Sequence, residues 1–193
     1  MEIKKITRVS IFIDYDNFTI NYCKKHNIAE TAIPFWDSLN DKLLDYYKNN
    51  FIRNDFEVID HTGTFICVGM SEFYTKEEKA IKQRFQELDR KAGFIVRYGN
   101  RKTPYWDKHG KLKLGQEKGV DAEIICQMLM GAFLNHYDAC ILMSDDGDYL
   151  PVVRRIHDYF AKKVIQAGFH DSKLRNQSYG NIPLENADAN LSI

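Results

Sequence analysis

The chain of 193 residues carries 27 Lys plus Arg and 27 Asp plus Glu, and this net charge of zero excludes a uniformly basic nucleic-acid coat or an acidic tail protein. At 44% hydrophobic and 13% aromatic residues it is too apolar for a disordered segment and long enough to bury one core, so a single domain is expected. No apolar run approaches the ~18 to 20 residues needed to cross a bilayer.

Residues 8–14 form a short apolar run that stops abruptly at Asp14, the pattern of a buried strand in a parallel sheet. After a polar stretch, Phe35, Leu39, Leu43, Leu44 and Tyr47 recur at helical spacing over 34–47. A second strand is expected over 63–69. Thr75 and Glu78 then have capping-box spacing before a helix whose apolar face is Ile81, Phe85, Leu88 and Ala92, with Gly93 placed to end it. A third strand covers 94–98, and 99–118 reads as a polar loop. Residues 120–134 read as a helix and 139–143 as a fourth strand. The acidic turn Ser144-Asp-Asp-Gly-Asp148 follows. Pro151 opens a helix through residue 159, and 163–166 make a fifth strand. Strands alternating with helices predict an α/β fold, a three-layer α/β/α arrangement with a mostly parallel central sheet. The predicted domain covers 1–171, with 172–193 as a polar C-terminal extension.

In such a sheet the ligand site lies beyond the carboxyl ends of the strands. Asp14 ends the first strand there, Asp145, Asp146 and Asp148 follow the fourth, and Asp121 begins the helix that leads into the fourth. Several carboxylates brought together repel unless protons or cations neutralise them. Hard oxygen donors without Cys or His match Mg²⁺ or Mn²⁺ better than zinc. The structural alternative is that each Asp serves as a helix cap or turn former.

Three ordered blocks carry a resemblance: Phe12-Ile-Asp14-Tyr-Asp-Asn17, Lys118-Gly-Val-Asp121, and Leu142-Met-Ser-Asp-Asp146-Gly-Asp148-Tyr-Leu-Pro151. They resemble the signature blocks of NYN-domain proteins of the PIN-like nuclease superfamily, which include the LabA-like group, and the match runs from about residue 9 to residue 166. The resemblance implies a PIN-like fold and a metal-dependent ribonuclease. Asp14, Asp121, Asp146 and Asp148 match the family's metal-binding acidic residues, and Asn17 matches the polar residue that closes the first block. Asp145 stands where the family often has glycine, and Gln127 where its helix often has another Asp.

A polyanionic substrate needs cations beside such a cluster. Residues 76–118 hold 13 Lys plus Arg against 6 Asp plus Glu, whereas 119–160 hold 2 against 7. Arg101, Lys102, Lys108, Lys111, Lys113 and Lys118, interleaved with Trp106, have the make-up of a single-stranded RNA surface. Tyr98, at a strand end, is expected on the core. A rival reading, carried by Gln127 and Asp145, is a catalytically weak module that binds RNA or a protein and regulates without cutting. A haloacid-dehalogenase-type phosphatase ranks lower, because Phe18 stands where its motif wants Thr or Val. The aromatic cluster in 34–47 fits a self-association face and a core helix equally well. Residues 1–10 show no signal-peptide pattern, and four cysteines without CxxC spacing read as buried reduced thiols, so a cytoplasmic protein is expected.

Overall fold

In the computed structural model, which describes residues 5–27, 36–54, 56–71, 76–102, 105–106, 108–110, 112–113, 117–169 and 172–184, side-chain alternation along the strands builds two cores. Within β1 (Lys5–Asp14), Val9, Ile11 and Ile13 lie on one face of the sheet and Phe12 on the other, as the two-residue period of a strand requires. β2 (Glu57–Ser71) and β7 (Ala139–Met143) repeat this: Ile66, Val68, Ile141 and Met143 share the first face, and Phe65, Cys67, Cys140 and Leu142 the second.

A sheet apolar on both faces must be covered on both. α1 (Tyr15–His26), α2 (Trp36–Phe51) and α3 (Lys76–Leu88) cover the first face through Phe18, Leu39, Leu43, Tyr47, Ile81 and Phe85. α4 (Val120–Phe133) and α5 (Leu150–Phe160) cover the second through Ile124, Met128, Val152, Val153 and Ile156. Truncating a fully buried side chain such as Ile124 to Ala would cost about 2–5 kcal/mol. The expected three-layer α/β/α architecture is therefore observed, and the apolar face of α2 is taken up by the core. Phe35 and the side chain of Trp36 lie outside the described residues.

Among the described residues the main sheet has the order β6-β3-β2-β1-β7-β8-β9, completed by β3 (Phe94–Arg101), β6 (Glu117–Lys118), β8 (Lys163–Gly168) and β9 (Gly180–Pro183). Its pairings are parallel except β3 with β6. From β1 the chain builds outward through β2 and β3, and from β7 it builds the other way through β8 and β9. The helices that follow β1 and β7 cover opposite faces, so a crevice opens at the carboxyl ends of these two neighbours.

Several expectations change. The polar stretch after Asp14 is α1, and β2 begins six residues before the expected residue 63. The expected loop 99–118 contains the end of β3, a small hairpin of β4 (Tyr105–Trp106) and β5 (Leu112–Lys113), and β6. α3 ends at Leu88, and Gly93, with φ of 86°, sits instead in the turn that enters β3; the expected cap Thr75 lies outside the described residues. The extension expected from residue 172 is corrected over 172–184: β9 pairs with β8, and Leu174, Ile182 and Leu184 are buried in the two cores. Short apolar anchors in a polar segment give too little periodicity to reveal this from sequence. β2 also carries an extra residue, Thr62, since Val9 pairs with His61 and Ser10 with Gly63. None of the four cysteines forms a disulfide; Cys67 and Cys140 are buried, but Cys126 is exposed on α4, contrary to expectation. No helix among the described residues is long and apolar enough to cross a membrane.

Candidate metal centre

The register of β1 and β7 sets the crevice. Phe12 pairs with Leu142 and Ile13 with Met143, so Asp14 and Ser144 leave their strands side by side. Both continue the face that carries Phe12 and Leu142, which is the face of α4 and α5. There Ser144 Oγ donates to Asp14 Oδ2 at 3.1 Å and accepts from the Asp146 backbone N–H at 3.1 Å. Asp14 also caps α1, its Oδ1 accepting from the Asn17 N–H at 3.2 Å. The structural reading of Asp14 as a helix cap thus holds together with its place in the site.

Asp121 arrives from the other side. Gly119, with φ of 87°, occupies the left-handed region that side chains disfavour, and this bend seats Val120 in the core and sets Asp121 in the first turn of α4. Asp146 and Asp148 come from the 3₁₀ turn after β7, where Asp146 Oδ1 accepts from the Asp148 N–H at 2.9 Å. Carboxylate oxygens of Asp121, Asp146 and Asp148 all lie within 4.8 Å of one another, the first two half-buried and the last exposed. At such separations each pair of charges repels by ~1 kcal/mol in water and ~3 kcal/mol at the effective dielectric of a protein surface. No lysine or arginine pairs with the three among the described residues. A hard divalent cation that keeps some of its waters fits this all-oxygen set with one open side.

Asp14 stands behind the triplet and is joined to it through Tyr149. The phenol oxygen of this buried residue lies 3.1 Å from Asp14 Oδ2 and 3.1 Å from Asp121 Oδ1. It has one hydrogen to donate, so a second proton is needed for both links to be hydrogen bonds. Burial pushes the Asp14 carboxyl up to about 7; the Asn17 N–H opposes this, the Asp121 charge adds to it, and Ser144 and Tyr149 pull back. Near neutral pH Asp14 therefore supplies that proton part of the time. Burial also raises Asp121, against the Tyr149 hydroxyl and with the charges of Asp146 and Asp148. The phenol itself is held far above its ordinary range by burial and stays a donor.

Asn17 and Asp145 act on the shape of the crevice. Asn17 Oδ1 accepts from the Asp145 N–H at 2.9 Å and so ties α1 to the acidic turn. The Asp145 carboxylate accepts from Gln166 Nε2 at 2.9 Å and from the Phe169 N–H at 3.0 Å, which anchors the turn to β8. A Cβ at Gly168 would collide with both Asp145 Oδ1 and Gln166 Nε2, so this glycine makes room for the extra carboxylate. Asp145 is outside the triplet. Gln127 bonds to Glu123 of its own helix at 3.2 Å. Asp16 accepts from the Gly69 N–H at 2.9 Å and links α1 to β2. Tyr149 and Ser144 are the residues that sequence reasoning passes over, although both sit inside the third block.

Of the expected cationic surface, Lys118 ends β6 beside Asn100 and lies two residues before the start of α4, while Lys102 and Lys108 are exposed. The hairpin pairs Tyr105 with Lys113 and Trp106 with Leu112, and leaves Trp106 71% exposed. Tyr98, expected on the core, is 42% exposed. Lys111 and the side chains of Arg101 and Lys113 lie outside the described residues.

Comparison with known proteins bears on these features. The model of the NYN domain family matches residues 8–185. The crystal structure of a protein of unknown function from Vibrio parahaemolyticus superposes with a TM-score of 0.55 at 17% identity, covering 95% of this chain and 96% of that one, which is a likeness of fold. No curated protein matches the chain.

Proposed function

Because the chain belongs to the NYN-domain family, a family of nucleases, we propose that it is a ribonuclease that hydrolyses phosphodiester bonds of single-stranded RNA with the help of Mg²⁺ or Mn²⁺. The observation that carries this reading is the convergence of Asp121, Asp146 and Asp148 at the crevice between β1 and β7. A divalent ion bound there supplies a water activated towards hydroxide near neutral pH and offsets charge on the phosphoryl oxygens.

The protein's own groups have separate tasks. Asp121, Asp146 and Asp148 hold the ion, and Asp148, the exposed one, borders the side open to substrate. Asp14 belongs to the same ligand set as a reserve carboxylate: it holds Tyr149, and Tyr149 holds Asp121 in place. Asn17 fixes the acidic turn against α1 and is a positioning residue. Arg101, Lys102, Lys108, Lys111, Lys113 and Lys118 supply the cations that hold the phosphate backbone, and exposed Trp106 offers a ring for an unstacked base. The RNA is single-stranded in this reading because a planar ring can take only a base already out of a duplex.

Labelled single-stranded RNA incubated with the purified protein tests the reading. Cleavage is expected with Mg²⁺ or Mn²⁺, is lost in EDTA, and falls by at least about 100-fold in Asp146→Asn. Equal cleavage by wild type and variant would exclude this site. Binding without cleavage in both would favour the regulatory reading. Of the two residues behind that rival, Asp145 is occupied with β8, which leaves Gln127 as its support.

A further inference from the structure

A second basin lies at the opposite, amino-terminal edge of the sheet, about 20 Å from Asp14 along β1. Its volume is about 710 Å³, within the ~300–1,000 Å³ typical of small-molecule sites. Four cations line it, Lys5, Arg8, Arg53 and Lys163, against two carboxylates, Glu57 and Asp138. The carboxylates are satisfied within the fold. Glu57 is bonded by Lys5 Nζ at 3.2 Å and by the Thr7 hydroxyl, and Asp138 by Arg8 Nη2 at 2.8 Å and Lys162 Nζ at 3.3 Å.

Among the described residues Arg53 and Lys163 form no close ion pair, although the Lys163 charge acts on Glu57 from a distance. The ammonium of Lys163 instead stands 4.5 Å from the centre of the Tyr179 ring. Tyr179 and Phe51 give the basin two aromatic walls, Tyr179 being more than half exposed. The buried residue Tyr47 also borders it, and its hydroxyl has no hydrogen-bond partner among the described residues.

We propose that this basin binds a mononucleotide, with Arg53 and Lys163 taking the phosphomonoester dianion and Tyr179 the base. The cations of the lining exceed its carboxylates by two, which matches the two charges of a phosphomonoester. An aromatic wall beside them matches a nucleobase, which stacks on exposed rings irrespective of its sequence identity. The inference does not depend on the ribonuclease reading, because no group of the acidic triplet lines this basin.

Calorimetric titration of the protein in EDTA with AMP, inorganic phosphate and adenosine tests it. AMP is expected to bind saturably, phosphate more weakly and adenosine least. Arg53→Ala with Lys163→Ala should weaken AMP and phosphate by about tenfold or more. Tyr179→Ala should weaken AMP but not phosphate, and Asp146→Asn should change neither. Absence of saturable binding of AMP and phosphate overturns the site, as does AMP binding that Asp146→Asn removes while the basin variants leave it intact. Equal affinity for AMP and phosphate overturns the mononucleotide assignment. Because Arg53 and Tyr179 are exposed, these two variants keep the test open even if Lys163→Ala impairs folding.

Discussion

The two ends of the central sheet treat the same functional group in opposite ways. At the amino-terminal edge both carboxylates are held below their ordinary range by hydrogen bonds within the protein, Asp138 chiefly by Arg8, and Glu57 first by the Thr7 hydroxyl and then by Lys5. At the carboxyl edge, Asp14 and Asp121 are pushed up by burial and by neighbouring negative charge. One edge neutralises its carboxylates internally and gains stability from doing so. The other leaves negative charge uncompensated, which costs stability and creates demand for a cation from outside.

The contrast would break most visibly at Tyr149. Tyr149→Phe keeps the ring that fills the core but removes the hydrogen shared by Asp14 and Asp121. A 10- to 100-fold loss of metal affinity or of cleavage is expected, measured by metal titration and RNA hydrolysis, with the fold retained. A variant as active as wild type would show that Asp121 needs no such support.

The pH dependence of stability sharpens the comparison next. The folded protein holds the Asp14 proton up to about pH 7, whereas the unfolded chain releases it near 3.8. The folded state therefore binds more protons across that window, and stability must fall as pH rises through it. Asp138 has the opposite sign: its contribution is complete above its unfolded value and is lost as pH falls through its lowered folded value. Melting temperatures in EDTA should thus decline between about pH 4 and 7, and Asp14→Asn should flatten that decline. A divalent ion should raise the upper end of the curve more than the lower.

Smaller effects are expected where side chains are more exposed. Asp138→Asn should lower stability by about 1 kcal/mol at neutral pH, visible as a drop of a few degrees in melting temperature and smaller at high salt. Charge reversal at Lys108 and Lys113, made in the Asp146→Asn background so that RNA survives, should weaken RNA binding and reduce its salt slope by about 0.7 for each phosphate no longer neutralised. An unchanged slope would place the RNA elsewhere.

How much of this is legible in the sequence depends on local redundancy. β7 can be read to the residue, because five consecutive apolar side chains are bounded by Asp138 and Ser144. α4 differs from its expected span by one residue, since its apolar face is long and Gly119 marks its start. α1 escapes a sequence reading because its buried residues Tyr15, Phe18 and Thr19 are scattered among Asp16, Asn17, Asn21, Lys24 and Lys25. β9 escapes because it has four residues, of which one is Gly and one Pro. The acidic residues of the site are legible from their place at strand ends. Their division into a triplet and a buried partner is not, because it depends on where the 3₁₀ turn carries the Tyr149 hydroxyl.

The extra residue in β2 has a consequence of phase. Below it Ile59 packs towards the α1–α3 layer, and above it Ile66 does the same, although seven residues separate them and a regular strand would set them on opposite faces. Thr62 absorbs the odd step, its Oγ1 lying 2.7 Å from Ser10 Oγ and donating to the Val9 carbonyl at 3.2 Å. The lower half of β2, which carries Glu57 into the amino-terminal basin, and the upper half, which flanks Asp14 at the crevice, are therefore two reading frames joined at one residue. Deleting Thr62 would bring His61 directly before Gly63 and merge the two frames into one regular strand, with Ile59 still opposite Thr7 and Ile66 still opposite Ile13.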